Sequence, residues 1–190
     1  MSETNFDLDA QSIPALAQER PTVTPPDSTE QFLRLRLASD TLALLPVRYL
    51  GEVLTIATNQ IIPIPHMPPW VMGVHNWRGE ILWMIDLGHL LGLPAWYQQT
   101  GSFSTLTTVL LDAHEATKGA AQSRQVVGLV VYQAEDIEWC NPNLVQASTP
   151  LSVIPELTPF VQGYWWTAND EILAVLDREA IIAAISNAQT

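Results

Sequence analysis

From Phe32 onward the apolar residues fall into ten short runs, each closed by turn-forming residues. The runs are Phe32–Leu37, Thr41–Val47, Gly51–Ile56, Val71–His75, Ile81–Ile85, Thr105–Leu111, Val126–Tyr132, Ile137–Cys140, Val161–Thr167 and Ile172–Leu176. Pieces this short suit strands and are too short for independent helices. In the first run Leu33, Leu35 and Leu37 alternate with Arg34 and Arg36, the period of a half-buried strand. The expectation is an all-β barrel or sandwich. Two helices are predicted beside it. A short middle helix, Asp86–Leu91, stops at Gly92 with Pro94 beyond, and a C-terminal helix, Asp177–Ile185, starts on an acidic cap and carries the stripe Ile181, Ile182, Ile185. No repeat of about 20–50 residues stands out.

One connection is more specific than the others. Val71–His75 and Ile81–Ile85 are joined by Asn76-Trp77-Arg78-Gly79, and Asn first with Gly fourth reads as a type I turn closing a hairpin. Trp is enriched in interface hot spots, and the chain spends seven: Trp70, Trp77, Trp83, Trp96, Trp139, Trp165 and Trp166. Trp83, inside an apolar strand, reads as core. Trp77, beside Arg78 at the hairpin tip, reads as an exposed docking knob, with local stacking as the alternative.

Charge excludes some partners. Lys+Arg 8 against Asp+Glu 20 gives −12, a field that repels phosphate, so neither nucleic acid nor an anionic membrane is an expected partner. Hydrophobic residues reach 47%, enough for a sizeable core. The uncharged stretches 53–77 and 87–111 are interrupted by prolines, glycines and glutamines, so direct membrane insertion is not expected. The first residues lack the basic start and apolar run of a signal peptide, and the single Cys140 suits a reducing compartment, so a cytoplasmic location is expected. Residues 1–30 hold six acids against Arg20 and four prolines, and read as a disordered tail, with Ile13–Leu16 either linker or docking peptide. The folded domain is expected to span 31–190.

Catalytic patterns are missing. The sequence has no G-x-S-x-G, no G-x-G-x-x-G, no phosphate loop and no H-E-x-x-H. His66, His75, His89 and His114 are irregularly spaced, and Cys140 has no zinc-site companion, so neither metal nor cofactor is implied. Asp86 and His89 fit an N-cap with a neighbouring histidine. A base–orienter pair for a small hydrolase is the competing reading, though the sequence names no nucleophile. Cys140, in strand-like sequence, reads as a buried structural thiol.

The segment Ile64-Pro65-His66-Met67-Pro68-Pro69-Trp70-Val71-Met72-Gly73-Val74-His75-Asn76-Trp77-Arg78-Gly79-Glu80-Ile81, continuing to Ile85-Asp86-Leu87, resembles the CheW family. Those bacterial coupling proteins show a proline loop, then Gly-Val-x-Asn-x-Arg-Gly, an apolar strand and Asp-Leu. Phe32–Leu37, Val126–Val131 and Ile172–Ile185 resemble the family's opening strand, a central strand and the closing strand and helix. The resemblance extends from about Gln31 to Ser186. It implies two SH3-like five-stranded β-barrel subdomains packed over a shared apolar core. It also implies a non-catalytic scaffold between the cytoplasmic helical tip of a chemoreceptor-like protein and the regulatory domain of a CheA-type histidine kinase.

Arg78 matches a family arginine associated with receptor docking, and Glu52 an acidic residue near the same surface. The expected protein-binding residues are Arg78, Trp77, Glu52 and Asn76. Trp77 stands where the family usually has an aliphatic residue, and His75 where it is usually apolar. Trp77 with Trp83 is similar to cyanobacterial versions associated with phototaxis or type IV pilus motility. A ligand-binding barrel whose tryptophans line a pocket is the alternative to the adaptor.

Overall fold

The computed structural model describes residues 29–99, 104–113, 126–147, 154–167 and 169–187. The tail expectation for residues 1–28 and the loop containing His114 lie outside them. Among the described residues ten strands form: β1 (Glu30–Ala38), β2 (Thr41–Pro46), β3 (Leu50–Ala57), β4 (Val71–Trp77), β5 (Glu80–Asp86), β6 (Thr105–Asp112), β7 (Val126–Val131), β8 (Gln133–Cys140), β9 (Val161–Trp166) and β10 (Ile172–Leu176). Two α-helices accompany them, α1 (Leu87–Leu90) and α2 (Arg178–Asn187). β1 starts at Glu30, which pairs with Cys140 and whose carboxylate meets Arg48. β8 starts at Gln133, ahead of the expected Ile137, because its polar first residues pair with Leu35 and Arg36.

The strands form two sheets of five. A terminal barrel, ordered β8-β1-β2-β10-β9, holds the first and last of the described strands, and a central barrel is ordered β3-β6-β7-β5-β4. A short segment closes each sheet on itself. Ile62, after β3, exchanges hydrogen bonds of 2.8 and 2.9 Å with Val74 of β4, while Gln146, after β8, does the same with Tyr164 of β9. Both crossings rest on a glycine. A Cβ on Gly73 would lie 2.1 Å from the Ile62 carbonyl oxygen, and one on Gly163 2.7 Å from that of Gln146.

Strands β2, β5, β6, β7 and β10 bury apolar residues on both faces, which explains runs that are more continuous than simple alternation. One face fills its own barrel: Leu82, Met84, Leu106 and Leu110 in the central one, and Phe32, Leu44, Leu173 and Val175 in the terminal one. The other face joins a shared core of Leu35, Leu37, Leu45, Ile85, Val109, Leu129 and Leu176, completed by Leu87, Leu91, Ile181 and Ile185 around the helices. A leucine fully buried there contributes roughly 2–3 kcal/mol of burial free energy. The two barrels over a common core expected from the resemblance are present.

The barrels repeat one another. In each an antiparallel hairpin (β1–β2 or β6–β7) joins a parallel partner (β10 or β5), which pairs with its own hairpin mate (β9 or β4). The sequence repeats as well, at a spacing wider than that expected of small repeat units. Ile64-Pro65-His66-Met67-Pro68-Pro69-Trp70-Val71-Met72-Gly73 recurs as Ile154-Pro155-Glu156-Leu157-Thr158-Pro159-Phe160-Val161-Gln162-Gly163, and Glu80-Ile81-Leu82 as Glu171-Ile172-Leu173. Asp86 N–H donates to the Trp70 carbonyl, and Asp177 N–H to that of Phe160, at 2.9 and 2.7 Å. Two units, β1–β5 with α1 and β6–β10 with α2, have therefore exchanged their last three strands. The chain crosses between barrels at the 3-10 turn Val47–Tyr49 and again at Tyr132.

Candidate functional site

The hairpin tip is tighter than a type I turn over Asn76–Gly79. Trp77 pairs directly with Glu80, leaving a two-residue loop of Arg78 (φ 54) and Gly79 (φ 87). Positive φ at both positions marks a type I′ turn, whose twist matches that of the strands. Asn76 still contributes, its Oδ1 accepting the Gly79 N–H at 3.1 Å. Arg78 has a Cβ in the left-handed region, a cost of about 1 kcal/mol that glycine would avoid.

The shorter loop makes Trp77 a strand residue and corrects its reading as an exposed knob. The indole is half-buried against the central barrel's interior cluster. The Arg78 guanidinium lies 4.9 Å from its ring centroid, the local stacking alternative realised. From there Arg78 Nη2 donates to both carboxylate oxygens of Glu52, at 2.6 and 2.9 Å. Glu52 is positioned by a β-bulge in which Gly51 and Glu52 together face Leu110. The pair is open to solvent, with side chains 65% and 47% exposed. At that exposure it adds little stability, and its charges remain available to a partner. Arg78, Glu52, Trp77 and Asn76 thus come together on one end of the central barrel. Beside them runs a groove of about 290 Å³ bounded by Gly51, Glu52, Trp77, Glu80, Leu110 and Asp112. Sequence reasoning missed Glu80 and Asp112, although Glu80 directly follows the Arg-Gly turn.

The proposed Asp86–His89 dyad does not form. Asp86 Oδ1 caps α1 by accepting the His89 backbone N–H at 3.1 Å, and Oδ2 accepts the Trp96 N–H at 2.8 Å. His89 Nδ1 donates instead to the Leu93 carbonyl at 3.1 Å. Burial pushes the Asp86 carboxyl above its ordinary pKa, against the lowering effect of these hydrogen bonds. His75 Nδ1 donates to the Gln60 carbonyl at 3.2 Å, and His66 sits in the proline loop. Cys140 is fully buried, and that burial pushes its thiol up to about 11, so it stays protonated.

The tryptophans do not line one pocket. Trp70 and Trp83 pack on the shared core, Trp77 and Trp96 on the central cluster and Trp165 on the terminal one, while Trp139 and Trp166 are exposed. A cavity of about 110 Å³ beside Asp86 has Trp96 as its one tryptophan among the described residues. No helix among the described residues is long and apolar enough to cross a membrane.

A family described as the CheW-like domain matches residues 31–186. Among solved structures the chain is similar to the scaffolding protein TtCheW from Thermoanaerobacter tengcongensis, with a TM-score of 0.60 and 21% identity, over 78% of this chain and 89% of that one. No curated protein matches it.

Proposed function

Because the chain belongs to the CheW-like domain family, we propose that it is a non-catalytic adaptor coupling a chemoreceptor-like protein to a CheA-type histidine kinase. The receptor's helical tip docks at the β4–β5 hairpin through Arg78, Trp77, Glu52 and Asn76, and the kinase regulatory domain docks on another barrel face. The observation that carries this reading is the exposed Arg78–Glu52 pair, held on a rigid two-residue turn in the segment with the family's pattern. A rim pair of this kind affects association rate and orientation more than raw affinity. The domain acts as one unit, and Glu30, which the sequence reading assigns to the tail, belongs to it as the first residue of β1. The protein works in the cytoplasm, recruited to receptor arrays, and Trp77 with Trp83 favours a phototaxis or pilus-motility pathway.

Light scattering on a mixture with the kinase regulatory domain from the same genome tests the kinase side. A co-eluting complex that survives moderate salt is expected, and two separate peaks at micromolar concentration reject it. On the receptor side Arg78→Glu should weaken binding while leaving the fold intact, and unchanged affinity would count against the docking assignment.

A further inference from the structure

The duplication puts Arg34 of the terminal barrel and Leu110 of the central barrel at the same point. Each faces a two-residue bulge, Glu135-Asp136 for Arg34 and Gly51-Glu52 for Leu110. In the terminal barrel that point seats a guanidinium. Arg34 Nε lies 2.9 Å from Glu135, Nη1 3.4 Å from Glu138 and Nη2 3.0 Å from Glu171 at the start of the β10 segment. The hairpin acid recurs in the central barrel, where Glu80 stands for Glu171 in the repeated Glu-Ile-Leu. The guanidinium does not recur. Leu110 turns into the barrel, and Gly51 places no side chain where Glu135 stands.

What remains is the open groove, with Leu110 beneath, Trp77 and Arg78 at one side and Glu52, Glu80 and Asp112 around it. Glu80 is exposed and makes no ion pair among the described residues. Given the docking surface proposed at the Arg78 hairpin, on which this inference rests, we propose that the groove seats an arginine side chain presented by the docked partner. Its stem lies along Leu110 and Trp77 and its guanidinium reaches Glu80, as that of Arg34 reaches Glu171. Arginine suits the site better than lysine, because a planar fork can bridge two carboxylates and stack on an indole. Arg78 repels a cation placed over Glu52 alone, which makes Glu80 the principal acceptor. The −12 net charge favours the approach of a basic segment.

The test is an NMR titration with N-acetyl-arginine methylamide, followed at the Trp77 indole N–H, with the neutral citrulline analogue as control. A saturable shift is expected for the arginine probe alone, weakened about tenfold in Glu80→Gln, as loss of a charge-assisted contact implies. Equal responses to the two probes, or an unchanged response in E80Q, overturn the seat. Receptor-fragment binding separates the seat from the docking surface beneath it. Loss in both E80Q and Arg78→Glu supports the two together, loss in R78E alone overturns only the seat, and loss in neither overturns the docking surface as well.

Discussion

Where the hairpin of the terminal barrel meets its bulged strand, Arg34 is 15% exposed and faces three carboxylates. At the matching end of the central barrel Arg78 is 65% exposed and faces Glu52. Burial tends to lower the Arg34 pKa, but the hydrogen bond and charge of Glu171, with help from Glu135 and Glu138, outweigh it and raise the value. The Arg34 cluster ties β1 to β8 and to the β9–β10 hairpin, so it belongs to the architecture. The Arg78 pair joins side chains already fixed by their strands, so the fold depends on it little. One strand plan therefore yields a closed structural end and an open binding end, and the difference is set by which element supplies the cation.

The largest effect should come from breaking the barrel closures. Gly73→Ala forces a Cβ against the Ile62 carbonyl at φ +138 and should cost more than about 3 kcal/mol in urea unfolding. Gly163→Ala should cost less, since its φ is not in the left-handed region and the Gln146 carbonyl oxygen stands 2.7 Å away rather than 2.1 Å. Equal losses would mean the two closures are energetically alike. Next, Arg34→Met should destabilise by about 2–3 kcal/mol, because it leaves Glu138 and Glu171 without their cation and Glu135 with Arg36 alone. Arg78→Met should stay within about 0.5 kcal/mol of the parent. Comparable values for the two would remove the distinction drawn between the barrel ends.

Asp86 sharpens the comparison through pH. Asp86→Ala should cost about 2 kcal/mol, losing the α1 cap and leaving the Trp96 N–H unpaired. The native state holds the Asp86 proton more tightly than the unfolded chain does. Its contribution is thus fully present below the ordinary Asp pKa and is lost as pH rises through the raised native value. Asp86→Asn should flatten that part of the stability–pH curve, and denaturant melts across the acid range will show whether it does. One effect is a gain. Arg78→Gly relieves the left-handed backbone and should stabilise by about 1 kcal/mol while weakening receptor docking, a combination that a purely structural arginine would not give.

The strands were legible in the sequence because each apolar run is short and bounded by turn formers. The two aspartate caps were legible because Asp precedes each helix. The turn at Arg78 was misread because Asn three residues before Gly satisfies both a type I turn and a strand ending in a I′ loop. Register settles that choice, and register depends on β7 packing beside β5. With the turn went Trp77, whose burial follows from belonging to β4. The Arg34 cluster was invisible because its acids stand 101 to 137 residues away, Glu135 and Glu138 in β8 and Glu171 just before β10. The duplication was hidden because its copies lie ninety residues apart and their strands are interleaved between the two barrels.

That interleaving also orders events during synthesis. The central barrel is built from one continuous stretch, Leu50–Val131, and every strand it needs has been made before β8 begins. β1 and β2 must wait for β8, β9 and β10, which leave the ribosome after the whole central barrel. At about 5–20 residues per second that wait lasts several seconds or more, during which the N-terminal hairpin has unpaired edges. Lys and Pro commonly protect such edges, and here the role falls to Arg34 and Arg36, two like charges on the exposed early hairpin that later meet the acids of β8. The residues that clamp the finished terminal barrel are thus the same ones that put like charges on its first hairpin before the rest of the barrel has been made.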